Sequence, residues 1–236
     1  MKISILGAGS VGGTLGKGWA NKGHQVFFGV RHPNDEKTQN LIKEIGSNAR
    51  AGTNDEAIAF SNVIVLALPW QVVPKVLEAA DVSDKIIIDA TNPLTPDFSG
   101  LEIGFDTSGA EKVAQWAKGA KVFKSFNQTG WENMANPIYD GKPSVMLVCG
   151  NDEEAKQTVL QLVSDLGFEA IDAGELEAAR LIEPFGMTWI HLAMKGLGRD
   201  WRATLRAVNA QRNARVVGIT NSSSLIGRKI WNVLTD

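Results

Sequence analysis

Short apolar runs recur along the chain and alternate with segments of helical character. The runs are rich in Val and Ile, do not alternate with polar residues and are too short for helices, which is typical of strands covered on both faces. They predict seven strands, at Ile3 to Leu6, Val26 to Val30, Val63 to Leu68, Lys85 to Ala90, Lys121 to Phe126, Ser144 to Cys149 and Phe168 to Ile171. This alternation predicts an α/β fold, a Rossmann-type doubly wound and mostly parallel sheet.

The clearest predicted helix follows Asn151. We predict that Asn151 caps it, because Glu154 stands three residues on and apolar residues then recur at helical spacing until Gly167.

The strand–helix alternation ends near Gly174. The later chain is predicted to be helical, with interruptions at Pro184 and at the glycines of KGLGRD. We therefore predict a Rossmann domain at residues 1–174 and a small helical C-terminal appendage at residues 175–236.

Composition indicates a soluble globular protein. Of 236 residues 44% are hydrophobic and 21% charged, and a formal net charge of -2 predicts neither nucleic-acid nor membrane binding. Residues 199–236 hold seven Arg or Lys against two Asp, and we interpret this basic tail as a solvated or oligomer-facing surface.

The single Cys149 excludes an intramolecular disulfide and a thiolate zinc cluster, so no metal site is predicted. Without a signal-peptide pattern or a long apolar span, the expected compartment is cytoplasmic.

A glycine turn follows the first predicted strand. Gly7, Gly9 and Gly12 form a G-x-G-x-x-G pattern where a strand gives way to a helix. The first glycine allows the tight turn, the second lets backbone amides approach a pyrophosphate, and the third allows close helix–strand packing. The turn, with Ala8, Ser10 and Val11 between its glycines, is predicted to hold a dinucleotide at the N-terminus of the helix.

The end of the second predicted strand carries basic residues where an acidic residue would select NAD. Val30 is followed by Arg31 and His32, and Lys37 stands a few residues later. Arg31 can form charge-assisted bonds to a 2′-phosphate and stack on adenine, and His32 and Lys37 can add donors. This pattern predicts NADP. The alternative is that Arg31 is an ordinary surface residue paired with the nearby Asp35 or Glu36.

Two further strand ends are predicted to face the same cleft, because ligands of parallel sheets bind beyond the carboxyl ends of the strands. They belong to the stretches VIVLALPW and IIIDATNPL. The predicted cofactor contacts there are Leu68, Pro69, Trp70, Ala90, Asn92 and Pro93. Trp70 can instead pack on a helix, and Asn92 can instead form a turn.

Several separated motifs carry a family resemblance. GAGSVG, GVRHP with Lys37, LPW, FNQTGWENM, VCGND and DAGELEAARLIEP resemble the deazaflavin-dependent NADP oxidoreductases and the reductase domain of the membrane metalloreductases called STEAP. The resemblance implies that NADP exchanges a hydride with a deazaflavin or flavin ring stacked on the nicotinamide. It also implies a homodimer, with the C-terminal part shaping the second-substrate pocket. Val30 departs from the family pattern, in which a small hydroxyl residue often precedes the arginine.

The acceptor end offers few acid–base groups, so hydride transfer by ring stacking without a catalytic acid or base is predicted. The resemblance implies that the segment FNQTG, which contains Asn127, lies beside the nicotinamide. The substrate pocket is predicted at Asn127, Trp131, Met187 and His191. A core position is the alternative for Trp131, Met187, His191 and also Phe126. Two other functions stay open: a reductase of small hydroxy acids or imines that uses Lys195 as proton donor, and an NADP-binding sensor without turnover.

Overall fold

The computed structural model of the chain describes residues 1–197, which lie within one compact unit. The basic tail and the last part of the predicted appendage lie outside the described residues. Ten strands form within them: β1 Lys2–Leu6, β2 Gln25–Gly29, β3 Ala49–Gly52, β4 Val63–Leu66, β5 Ile86–Asp89, β6 Lys121–Lys124, β7 Ile138–Tyr139, β8 Lys142–Pro143, β9 Val145–Gly150 and β10 Glu169–Asp172.

Eight α-helices connect these strands within the described chain, and short 3-10 turns precede α4 and α8. The helices are α1 Ser10–Asn21, α2 Glu36–Ile45, α3 Asn54–Phe60, α4 Val73–Glu78, α5 Gly109–Trp116, α6 Trp131–Ala135, α7 Glu153–Asp165 and α8 Ala179–Leu192.

Eight strands form one sheet in the order β10-β9-β6-β5-β4-β1-β2-β3, and β7 pairs with β8 in a separate hairpin. Strands β1 to β6 are mutually parallel, whereas β9 runs antiparallel to β6 and parallel to β10. From β1 the chain adds β2 and β3 on one side of the sheet, and it then crosses to the other side of β1 to add β4, β5 and β6. The strand order therefore reverses between β1 and β4. Such a reversal opens a crevice at the carboxyl edge of a doubly wound sheet, so the predicted fold is confirmed and the position of a ligand cleft is set.

Two apolar layers cover the two faces of the sheet. One packs α1 and α7 against it, with Trp19 and Phe28 among its buried side chains. The other packs α3, α4 and α5, with Leu66 and Val113 at its centre. All four residues of β4 are buried, which explains why its sequence is a continuous apolar run.

Two predictions about helices are wrong. Asp152, not Asn151, caps α7: its side chain accepts from the Ala155 amide, while the Asn151 amide oxygen accepts from the Leu176 backbone. Helix α8 also continues through Pro184, because its buried face compensates for the missing backbone donor. The predicted interruption does occur at Gly196, where φ is 105°.

The sequence pattern also missed β3, β7 and β8 and extended several strands too far. Strand β3 reads ARAG, which lacks the Val and Ile of its neighbours and lies at the sheet edge. Strand β6 ends at Lys124, and Phe126, with φ 60°, already lies in the following loop. The loops at the carboxyl ends of these strands therefore begin a few residues earlier than the apolar runs predict.

Candidate cofactor site

The glycine turn after β1 has the geometry that a dinucleotide needs. Gly7 has φ 107°, and a Cβ there would overlap the Ala67 carbonyl oxygen. A Cβ on Gly12 would overlap the Gly7 carbonyl oxygen, so these two positions require glycine for packing. A Cβ on Gly9, in contrast, would have no heavy atom within 4 Å. The turn therefore leaves open space beside the backbone at Gly9, where a phosphate can approach.

The N-terminus of α1 opens onto the same space. Helix α1 begins at Ser10, no side chain caps it, and its first turn contains no acidic residue. The first N–H groups of a helix have no partner within the helix and carry a partial positive charge. They are therefore available to an anionic group.

The adenosine end predicted after β2 carries three exposed basic side chains. Val30 is half-buried, while Arg31, His32 and Lys37 are exposed. Among residues 1–197, none of these basic side chains has a carboxylate within ion-pair distance.

Asp35, one of the two predicted alternative partners of Arg31, forms its hydrogen bonds with the N-terminus of α2 instead. It caps α2 by accepting from the Thr38 amide at 2.6 Å, and the hydrogen bonds from Thr38 hold the pKa of Asp35 below its ordinary value. The carboxylate is thus committed to the helix, and Arg31 remains available to a ligand.

A cavity of about 230 Å³ lies at the carboxyl ends of the central strands. Six predicted cofactor residues line it: Val11, Leu68, Pro69, Trp70, Ala90 and Asn92. The sequence reasoning missed the remaining lining residues, which are Ala67, Gln71, Thr91, Leu94, Thr95, Pro96 and Phe98. The last four belong to the loop between β5 and α5, whose proximity to the cleft depends on tertiary folding.

Trp70 combines its two predicted roles. Its ring lies 5.2 Å from the ring of Trp116 on α5, and only 7% of the residue is exposed. It nevertheless lines the cavity. Packing on the helix therefore fixes the orientation of a cavity wall.

Two asparagines connect the ends of β5 and β6. The Asn92 amide donates to the Asn127 backbone carbonyl at 3.1 Å, and the Asn127 amide donates to Asn92 Oδ1 at 3.1 Å and to the Ile182 carbonyl at 3.3 Å. Asn127 Oδ1 is buried without a hydrogen-bond partner in the described chain. A buried acceptor left unpaired costs free energy, so Asn127 Oδ1 is a candidate acceptor for a donor outside the chain.

Gly186 allows α8 to reach this pair. A Cβ on Gly186 would lie 2.7 Å from the Asn127 carbonyl oxygen and 3.1 Å from Asn92 Oδ1. The distance to the Asn127 backbone carbonyl is too short for a side chain, so α8 requires glycine where it crosses the asparagines.

A buried ionic cluster, the Lys124 triad, lies beyond the asparagines and consists of Lys124, Asp89 and Glu183. Lys124 Nζ contacts Asp89 Oδ2 and Glu183 Oε1, each at 2.8 Å, and all three side chains are at most 1% exposed. Glu183 also accepts from the Gly109 and Ala110 amides at the N-terminus of α5. Burial by itself lowers the pKa of Lys124, but the two carboxylates outweigh it and raise the pKa above its ordinary value. The triad thus links β5, β6, α5 and α8.

The residues predicted for the substrate pocket lie on the loop after β6 and on α6 and α8. Trp131 and Met187 are half-buried on α6 and α8, and His191 is exposed on α8. None of these three residues lines the cavity described above, and neither does Asn127. Phe126 is 1% exposed and packs edge-on against Trp19, so its core interpretation is correct.

Pro93 is buried and lies close to the N-terminus of α5, where a Cβ on Gly109 would meet its ring at 3.1 Å.

Within residues 1–197, no helix has the length and apolar character required to cross a membrane. No group of three or more potential metal ligands occurs in this part of the chain either.

Comparison with known proteins gives concordant similarities. The family model described as "NADP oxidoreductase coenzyme F420-dependent" matches residues 2–93. The F420-dependent NADP reductase of Methanocaldococcus jannaschii is 30% identical over 213 residues, which cover 83% of this chain and 93% of that protein. The metalloreductase STEAP3 of Rattus norvegicus is 30% identical over 184 residues, which cover 77% of this chain and 36% of that protein. A solved structure from Arthrobacter sp. FB24, assigned as an F420-dependent NADP reductase, has a TM-score of 0.79 at 26% identity and covers 87% of this chain and 99% of its own.

Proposed function

Because this chain belongs to the family of F420-dependent NADP reductases, we propose that it is an NADP-dependent oxidoreductase that exchanges a hydride between nicotinamide and a deazaflavin ring. The observation that carries the proposal is the group of three exposed basic side chains after β2, Arg31, His32 and Lys37, which have no carboxylate partner within the described residues. They follow the strand next to the open glycine turn. A 2′-phosphate is the part of NADP that such cations recognise.

The chain's residues bind and orient the cofactor along the carboxyl edge of the sheet. The Gly7–Gly12 turn, with Ala8, Ser10 and Val11, receives the pyrophosphate at the N-terminus of α1. Leu68, Pro69, Trp70, Ala90 and Asn92 form apolar and polar walls of the adjacent cavity, with Pro93 behind them. The unpaired Asn127 Oδ1 is an acceptor for an amide donor such as the carboxamide of the nicotinamide.

The reaction requires little proton transfer by the protein. NADP supplies the hydride chemistry when bound, and the protein holds the two rings in contact and excludes water. The Lys124 triad is committed to internal partners, so it is not proposed as an acid or base. Trp131, Met187 and His191 are proposed to meet the second substrate from α6 and α8.

The alternative proton donor Lys195 receives no support from the structure. It is exposed in the segment Ala193–Leu197, and it does not line the cavity. Lys195 is therefore not positioned to protonate a hydroxy-acid precursor or an imine bound in the cavity.

We also propose a homodimer in the cytoplasm. Leu181 lies on α8 and Met194 lies in the segment directly after it, and they are 76% and 63% exposed. We propose that contact with a second copy covers these apolar side chains. The free, buried Cys149 fits a reducing compartment.

The test combines binding and turnover. The purified protein is titrated with NADPH and with NADH, and nicotinamide absorbance is then followed after addition of oxidised deazaflavin or a plain flavin. We expect tighter binding of NADPH and turnover with a ring acceptor. Equal binding of both nucleotides would contradict the role of the cations, and tight binding without turnover would favour a sensor. Light scattering of the same sample measures the oligomeric state.

A further inference from the structure

Phe98 has an unusual position at the mouth of the cavity. It lines the cavity, yet 55% of the residue is exposed. Its φ is 59°, in the left-handed region that bulky side chains avoid. Glycine would adopt this conformation without the steric penalty, so the loop must hold a strained backbone to present an aromatic side chain here.

The loop around Phe98 is built to hold that conformation. The Phe98 amide donates to the Thr95 carbonyl at 2.9 Å, and Leu94 pairs with Leu101 across the base of the loop. Asp97 Oδ1 accepts from the Thr95 hydroxyl at 2.6 Å and from the Ser99 hydroxyl at 2.8 Å. These hydrogen bonds lower the pKa of Asp97 to about 2, so the carboxylate is charged at neutral pH. The side chain of Phe98 is thus presented by an ordered loop.

Several of the other cavity walls belong to the proposed cofactor contacts. Val11 lies on the glycine-turn helix, Leu68 comes shortly after β4, and Ala90 follows β5 directly. Phe98 comes from the loop beyond these walls, and more than half of it is accessible. An exposed aromatic face at the rim of a cavity matches a flat ring, because offset stacking adds to the burial of apolar area.

We propose that Phe98 contacts the flat ring of the second substrate and contributes to specificity for ring acceptors. This inference rests on the proposed function. Phe98 acts by binding the ring beside the cleft, and no proton or electron passes through it.

Phe105 provides a matched control in the same loop. It is also a phenylalanine with a positive φ, 65°, and it is 82% exposed, but it does not line the cavity. Replacement of either residue by Leu therefore removes an exposed aromatic ring and retains a positive φ. Only the Phe98→Leu change is expected to affect the acceptor.

The experiment measures ring binding directly and then turnover. Deazaflavin fluorescence is titrated with the NADP-loaded wild-type, Phe98→Leu and Phe105→Leu proteins, and KM is determined separately for the ring and for NADPH. We expect Phe98→Leu to weaken ring binding and raise the ring KM about three- to tenfold, the range of one aromatic contact. The NADPH constant and all constants of Phe105→Leu should stay unchanged. Thermal unfolding establishes that both variants are folded.

The outcomes separate this proposal from the proposed function. Wild-type and Phe98→Leu proteins that bind the ring equally would overturn only the role of Phe98. A larger effect on NADPH than on the ring would also overturn it, because Phe98 would then belong to the cofactor site. A wild-type protein that binds NADPH but neither deazaflavin nor flavin would contradict the proposed acceptor class and the role of Phe98 together.

Discussion

Two groups of residues lie at strand ends of the same sheet, the Lys124 triad at the end of β6 and the three basic residues after β2. They differ in whether the protein itself provides the partners of the basic side chains. Lys124 is fully buried between Asp89 and Glu183. Arg31, His32 and Lys37 are exposed, and no carboxylate in the described part of the chain pairs with them. The first group connects elements of the fold. The second is open to an anion, which is why we assign the ligand to it.

The largest expected effect follows removal of the buried cation. Lys124→Met leaves two carboxylates uncompensated in the interior and should lower the free energy of unfolding by about 3 to 5 kcal/mol. Chemical denaturation measures the loss.

The matched control is Lys121→Met on the same strand. Lys121 pairs with Asp152 at the exposed start of β6, so its replacement should have a much smaller effect. Adding Asp89→Asn and Glu183→Gln to Lys124→Met should restore part of the stability, because the unpaired charges are then gone. A Lys124→Met protein as stable as the wild type would show that the triad does not hold the fold.

The next largest effect concerns the open cations. Arg31→Glu should weaken NADPH binding about 10- to 100-fold, because it removes a charge-assisted bond and adds repulsion to the 2′-phosphate. NADH binding and the unfolding midpoint should change little. The control is Arg50→Glu, since Arg50 stacks over Phe27 and Phe60 and has no predicted cofactor role. Equal losses of NADPH and NADH affinity in Arg31→Glu would assign Arg31 to the fold instead.

A third test compares two glycines of the turn, Gly9 beside open space and Gly12 against the backbone. Gly9→Ala adds a methyl group where the protein has open space, so the fold should be retained while both nucleotides bind about tenfold more weakly. Gly12→Ala places the same group against the Gly7 carbonyl oxygen and should lower the melting temperature. Calorimetric titration and thermal unfolding of the pair distinguish these effects. Unchanged nucleotide binding by Gly9→Ala would contradict the phosphate position.

The smallest effect is the reactivity of Cys149, which pairs across the sheet with Lys124. Burial raises the pKa of the Cys149 thiol to about 12, despite the opposing effect of the Lys124 charge. At pH 8 roughly one thiol in ten thousand is then ionised, so a disulfide reagent should label the native protein very slowly. Labelling should accelerate as pH rises toward 12, and Lys124→Met should accelerate it at pH 8 by favouring local opening. Rapid labelling of the native wild type would contradict the closed environment.

The sequence predicted the parts of the site that depend on local spacing. The glycine turn and Asn127 were predicted because each follows an apolar run directly, and Asn92 was predicted because it follows one after a single residue. Phe98 and Thr91 were missed, since their place in the cavity depends on how the loop after β5 folds back. Glu183 was missed for the same reason: it lies on an amphipathic helix, and only the packing of α8 brings it to Lys124. Contacts between distant segments leave no periodic pattern in the sequence.

The carboxylate of Glu183 has a consequence for the path of an incoming nucleotide. Helix α5 presents its N-terminus to Glu183 at 2.7 Å from the Gly109 amide, whereas α1 begins at an uncapped Ser10. One helix is thus already neutralised by an anion that belongs to the protein, and a diphosphate gains nothing by docking there. Of these two termini only α1 lacks an anion supplied by the protein, so we expect a diphosphate to bind at α1 and not at α5.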